Sequence, residues 1–132
     1  MLVMWVMLFM TGLSVVAGGS VAKHRHATVN MTNDLGNGFD LTPLTYCKSK
    51  DDDLGSHIVK PGQFYVFGFT PNFLGTTLYT CNFGWSTQTR SFKIYDYDRD
   101  NLVCRHCKWL IQTTSPCEYN YNTKAYDICT KW

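Results

Sequence analysis

Three shortages narrow the reading of this 132-residue chain: one glutamate, four histidines, and no charged side chain in the first 22 positions. Glycoside hydrolysis needs two carboxylates flanking a cleft. The sole glutamate is Glu118, and the aspartates gather in turn-like segments. Nucleophilic hydrolysis needs a base held against a serine or cysteine. Only His24, His26, His57 and His106 are available, and no Gly-x-Ser-x-Gly elbow is present. Strong helix formers are scarce and no window sustains a 3.6-residue apolar period, so a helical fold is excluded. The formal charge of +2 is too small to argue for nucleic acid or an anionic membrane. The expectation is a protein that is not an enzyme, with no catalytic residue, cofactor or metal.

The charge-free start is dominated by Leu, Val, Met, Phe and Trp, and Ser20-Val21-Ala22 places small residues at the third and first positions before a cut. This is the pattern of a secretory signal peptide over residues 1–22, with Lys23 beginning the mature chain and residues 17–19 offering another cut. The usual Lys or Arg ahead of the apolar run is missing. The uninterrupted run, residues 2–10, falls short of the roughly 20 apolar residues that span a bilayer. No stable membrane insertion is therefore expected after cleavage. The remaining 132 − 22 = 110 residues suffice for one domain, 23–132. All six cysteines (Cys47, Cys81, Cys104, Cys107, Cys117 and Cys129) lie within it, which argues for three disulfides in an oxidising compartment.

Alternation organises the mature part. Ala27, Val29 and Met31 alternate with Thr28, Asn30 and Thr32, a half-buried strand that puts the Asn30-Met31-Thr32 glycosylation sequon on its polar face. Turn chemistry over residues 33–38 leads to a second expected strand, residues 39–46, interrupted by Pro43. Tyr65, Phe67 and Phe69 share one face of the next strand, and Tyr79, Cys81, Phe83 and Trp85 share one face of another. Residues 91–97 set Phe92 and Ile94 against Tyr95 and Tyr97, and residues 106–112 put Cys107, Trp109 and Ile111 together. Short strands separated by turns argue for an all-β fold, an antiparallel sandwich or barrel. The Tyr- and Asn-rich tail after Pro116 is expected to be stapled down by Cys117 and Cys129.

The acidic clusters invite a metal reading, which the spacing does not sustain. Asp96, Asp98 and Asp100 alternate as an EF-hand loop begins, but that loop needs Gly at position 101 and Glu at 107, where Asn101 and Cys107 stand. Asp51, Asp52 and Asp53 read instead as turn residues holding their own backbone. Cys104-Arg105-His106-Cys107 has the spacing of a zinc half-site or redox pair. It lacks a similar second pair, and it enters a strand pattern rather than opening a helix. Residues three apart on a strand face opposite sides, so these two cysteines are expected to bridge to different partners.

Several strings occur in a telling order: Asn33-Asp34-Leu35-Gly36; Cys47-Lys48-Ser49-Lys50-Asp51-Asp52-Asp53-Leu54-Gly55; Phe69-Thr70-Pro71-Asn72-Phe73; Gly75-Thr76-Thr77-Leu78; Cys81-Asn82-Phe83-Gly84-Trp85; and Cys104 to Trp109. Together they resemble the plant self-incompatibility protein family, the S-protein homologues related to the secreted stigmatic determinant of poppy. The resemblance spans residues 27–117. Tyr46 stands where members commonly carry His, the segment before Cys47 is about two residues longer, and Cys117 and Cys129 are less general. The resemblance implies a small antiparallel β-sandwich stabilised by disulfides, secreted to the apoplast, without known catalytic residues. Six cysteines allow 15 connectivities; the expectation groups Cys47, Cys81, Cys104 and Cys107 into two bridges and leaves Cys117 with Cys129.

The function so implied is that of a monomeric extracellular signalling ligand for a plasma-membrane receptor protein. Asp51, Asp52, Asp53, Asp96, Asp98 and Asp100 mark the candidate recognition loops, on the argument that loops on a rigid frame carry recognition. The alternative is an apoplastic binder of carbohydrate or a defence-related molecule, using Tyr119, Tyr121 and Trp132.

Overall fold

Period-two burial decides most of the architecture. The structure, a computed structural model, describes residues 26–41 and 46–132. The expected signal peptide and Pro43 lie outside the described residues. Among the described residues, nine strands and one helical turn follow in order: β1 (Ala27–Asn33), β2 (Tyr46–Lys48), β3 (Asp53–Ser56), β4 (Phe64–Phe69), β5 (Leu78–Trp85), β6 (Gln88–Asp96), α1 (Tyr97–Asp100), β7 (His106–Ile111), β8 (Pro116–Asn120) and β9 (Ala125–Cys129). They form a five-stranded sheet, β4-β1-β7-β8-β9, and a four-stranded sheet, β3-β2-β5-β6.

The inward side chains of both sheets make one core. Val29, Met31, Phe67, Trp109 and Ile111 come from the first sheet, and Cys81, Phe83, Trp85 and Ile94 from the second. Phe67 meets Tyr79 with ring centroids 5.0 Å apart, and Phe92 meets Trp109 edge-on at 5.1 Å. Each such aliphatic or aromatic side chain contributes about 1.5–3 kcal/mol by leaving water, which makes this interface the main stabilising term. The all-β sandwich expected from alternation is what forms.

Several details differ from the sequence expectation, each for a physical reason. The expected second strand, residues 39–46, is described only in part, since residues 42–45 lie outside the described residues: Tyr46 opens β2, Leu41 forms an isolated bridge to Val59, and residues 39 and 40 are not in a strand. The cause is buried Asn33, whose Nδ2 donates to the Phe39 and Val59 carbonyls at 2.8 Å each while its Oδ1 accepts from the Leu35 N–H at 2.9 Å. That clamp folds residues 34–41 into a loop. On β6, Ile94 and Tyr95 are both buried, which strict alternation forbids. Tyr79 pairs with Tyr95 while Thr80 pairs with Lys93, so Ile94 is an extra residue and the strand bulges there.

One ladder, β1 with β7, is parallel within otherwise antiparallel sheets. These strands lie far apart in sequence, and a parallel pair needs such a long connection. The tail is itself a hairpin, β8–β9, in which Cys117 and Cys129 are directly opposed and bridged. Cys47 and Cys81 are likewise opposed on β2 and β5 and bridged. Cys104 and Cys107 bond to each other. The expectation of different partners is corrected: β7 begins at His106, so Cys104 sits in the preceding loop and the opposite-faces argument does not reach it.

Candidate functional site

Strand register brings the two aspartate stretches to one end of the four-stranded sheet. Lys48, the last residue of β2, pairs with Thr80, and Asp96, the last of β6, pairs with Leu78. The β2–β3 turn, the β4–β5 loop and the β6–α1 turn therefore meet around the start of β5. Between the first two lies a cleft of about 580 Å³. Its walls include Lys48, Ser49, Lys50, Asp51 and Asp52 on one side and Asn72, Thr76 and Thr77 on the other, with Phe69, Leu78 and Tyr79 contributing apolar surface.

Each wall holds its own shape. In the β2–β3 turn the Ser49 N–H donates to the Asp52 carbonyl at 2.7 Å and the Asp52 N–H to Ser49 Oγ at 3.1 Å. Gly55, at φ 77 within β3, takes the left-handed conformation where the register shifts between the Lys48–Asp53 and Tyr46–Ser56 pairs, and its N–H donates to Asp53 Oδ1 at 2.9 Å. Tyr79 Oη donates to Asp52 Oδ2 at 3.2 Å, tying the turn to β5. Burial pushes the Tyr79 phenol above its ordinary pKa, and the Asp52 charge adds to that. It therefore remains a hydrogen-bond donor at neutral pH. Across the cleft, Asn72 organises the β4–β5 loop: its Oδ1 accepts from the Thr76 N–H at 3.0 Å, and its own N–H donates to Thr77 Oγ1 at 2.8 Å.

The third element leans on the second. The Tyr97 N–H donates to the Thr77 carbonyl at 3.0 Å, and the Tyr97 ring lies where a Cβ on Gly75 would come within 3.0 Å of it. Asp96 caps α1 by accepting from the Asp98 N–H at 3.1 Å. The rim carries exposed apolar side chains beside the charges: Phe73 and Leu74 in the β4–β5 loop, and Leu102 and Val103 just after α1. Loops held rigid by their own hydrogen bonds, with lysines, aspartates and exposed apolar groups together, can dock a partner of mixed polarity at little ordering cost.

The sequence-selected carboxylates divide. Asp51, Asp52, Asp53 and Asp98 are exposed and Asp96 is half-buried, all within this end of the sheet. Asp100 is fully buried and is withdrawn from the recognition surface: Arg99 clamps it with Nε and Nη2 at 2.8 and 2.7 Å. Desolvation works against the Arg99 charge, but the Asp100 hydrogen bond and charge outweigh it and push its pKa up. Asn30 lies half-buried on the outer face of β1, between Val66 and Lys108. Trp132 is half-buried against Phe83, Trp85 and Phe92 and donates to the Gln112 carbonyl, so it serves packing. Tyr119 meets Tyr121 and Tyr126 edge-on, with Lys108 Nζ 4.1 Å above its ring.

Sequence reasoning missed Glu118. It pairs with Trp109 across the β7–β8 ladder and is 1 % exposed. Burial, then the nearby Asp100 charge and hydrogen bond, push its pKa up to about 8, against the pull of Arg99. Among the described residues, Cys104, Cys107 and Glu118 form the one group of side chains with metal-ligand spacing, all within 4.8 Å, and the two sulfurs are already joined to each other. Nothing in a Tyr- and Asn-rich tail signals an inward carboxyl; only the cross-strand register shows it.

A family model described as plant self-incompatibility protein S1 matches residues 28–132. Among curated proteins, the chain is 44% identical over 118 residues to S-protein homolog 2 of Arabidopsis thaliana, covering 86% of this chain and 72% of that one. It is 43% identical over 110 residues to S-protein homolog 5 of the same plant, covering 83% of each. A solved structure described as representing self-incompatibility protein homologues, "a widespread family of small, highly stable, secreted proteins from plants", aligns with a TM-score of 0.55 at 16% identity. The alignment covers 72% of this chain and 84% of that one, a likeness of fold alone.

Proposed function

The chain belongs to the plant self-incompatibility protein S1 family, and on that premise we propose that it is a secreted ligand recognised by a cell-surface receptor protein. The observation that supports this reading most is a cleft walled by two self-bonded loops with a third leaning on the second, where charge and exposed apolar surface lie side by side. A signal peptide over residues 1–22 and three disulfides suit export to an oxidising apoplast. Among the described residues no helix is long and apolar enough to cross a membrane. A glycan on Asn30 would project from the outer face of the five-stranded sheet and leave the cleft end open. Rejection of self pollen is the response this reading attaches to the ligand.

Exchanging residues 49–52 and 72–77 for those of a related protein, then measuring binding of the labelled proteins to plant protoplasts, tests the assignment. Binding should follow the loops. Binding that follows the scaffold would refute it. A second reading, carbohydrate binding, draws on the Tyr119–Tyr121–Tyr126 cluster with Lys108. Glycan-array binding abolished by Tyr121→Ala would support it, and an array without hits would remove it.

A further inference from the structure

The Cys104–Cys107 bridge has surroundings unlike those of the other two. Its first sulfur belongs to a partly exposed residue, while Cys107 is fully buried beneath it. The Cys104 Sγ lies 3.3 Å from Glu118 Oε2, and the Cys107 Sγ is within 4.8 Å of the same carboxyl. In contrast, Cys47 and Cys81 are both buried. The Cys117–Cys129 bridge is exposed at Cys129, and its hydrogen-bond partners are the Ser115 hydroxyl at 3.5 Å, the Gln112 side-chain oxygen at 3.6 Å and the Tyr126 carbonyl at 3.9 Å, none of them an acid. The bridge also closes a separation of three residues, against 34 and 12 for the others. A short loop restricts the unfolded chain least, so this bridge adds least to stability.

We propose that Cys104–Cys107 is a thiol–disulfide exchange site, with Glu118 as the buried acid that protonates the sulfur released on reduction. The co-reactant is an external dithiol. One of its thiolates attacks the accessible Cys104 sulfur, a new S–S bond forms there, and the Cys104–Cys107 bond breaks with its electron pair on Cys107. A bare thiolate in that dry position is costly. The Glu118 proton moves to it, leaving a carboxylate that faces Arg99. The second thiolate of the reagent then attacks its own sulfur in the mixed disulfide. This releases Cys104, which takes a proton from solvent, and the reagent leaves as a cyclic disulfide, having supplied two electrons.

The charged and titratable groups around Glu118 are Arg99 and Asp100 from α1, with Asp96 and Tyr95 next to that pair; β7 presents the uncharged Trp109. Asp100 and burial hold the proton on Glu118, while Arg99 favours its loss. The donor is therefore present below about pH 8 and absent above it. Trp109 Nε1, buried without a hydrogen-bond partner, adds no competing donor bond to the network.

The test reduces the intact, fully oxidised protein with dithiothreitol between pH 6 and pH 9, traps thiols by alkylation, and follows each bridge by peptide mass spectrometry. The rate for Cys104–Cys107 divided by that for Cys117–Cys129 cancels the reagent's own ionisation. That ratio should fall on the order of tenfold as pH rises through 8, a modest share of what a positioned acid supplies. In Glu118→Gln it should be low and flat. A ratio independent of pH in the unaltered protein, or an unchanged ratio in Glu118→Gln, would overturn the proposal. The unaltered protein's pH profile decides even if the variant does not fold.

Discussion

Removing the disulfides one at a time should cost stability in the order of the loops they close. The bridges span 34 residues for Cys47–Cys81, 12 for Cys117–Cys129 and three for Cys104–Cys107. The chain-entropy relation converts those spans to about 3.8, 2.8 and 1.6 kcal/mol at room temperature. The first bridge carries a further penalty. Both of its cysteines are buried, and the Cys81 Sγ lies 3.8 Å from the Met31 Sδ, so an alanine pair there also leaves a cavity between the sheets. For a domain of this size, a loss of 3.8 kcal/mol lowers Tm by roughly 15–30 °C. Because β2 meets β5 over only three residue pairs, the same variant should loosen the β2–β3 turn and weaken any binding through the cleft. Guanidinium unfolding of the three double alanine variants, at fixed pH and with oxidation state verified by mass, reads the order directly. A greatest loss at Cys104–Cys107, or equal losses at all three, would refute the reasoning.

Other outcomes follow from single positions. Glu118 has its folded pKa raised above the unfolded carboxyl value of 4.5, to about 8. Its contribution is thus most favourable below pH 4.5 and is lost as pH rises through 8, an upper limit on the order of 5 kcal/mol at 1.36 kcal/mol per unit. Urea unfolding across pH 4 to 9 should show that decline, and Glu118→Gln should lack it; parallel curves would contradict the assignment. Gly75→Ala should destabilise by about 1–2 kcal/mol, since φ is +74 there and the new Cβ would press on the Tyr97 ring. Thermal melting reads it, and an unchanged Tm would show that the loop does not need that conformation. Asn33→Ala removes all three bonds of the clamp and should cost roughly 2–4 kcal/mol, with early loss of amide protection at Val59 in hydrogen exchange.

The faces of β4, β5 and β7 were legible because one side of each strand is buried, which writes the core into every second residue. What resisted reading depends on cross-strand partners. The Ile94 bulge exists only relative to β5, and the inward turn of Glu118 only relative to β7. The Cys104–Cys107 pairing was misjudged because the opposite-faces rule was applied to Cys104, two residues before the strand begins at His106. The Asp51–Asp53 turn could be picked out by composition. Its opposite wall around Asn72 could not be, because the cleft arises from pairing β2 with β5.

The claim that this end of the sheet is the recognition surface is tested most directly by saturation binding to plant protoplasts. The proteins compared are the unaltered one, a cleft variant (Lys50→Ala, Asp51→Ala and Leu74→Ser together) and Tyr121→Ala. Lys50 and Asp51 in the wall and Leu74 on the rim are all exposed, so the fold should survive, with Tm close to unaltered. The account predicts that saturable binding weakens at least about 30-fold in the cleft variant, the loss expected when residues that dominate an interface are truncated, and stays unchanged in Tyr121→Ala. Equal affinity of the cleft variant and the unaltered protein would contradict it.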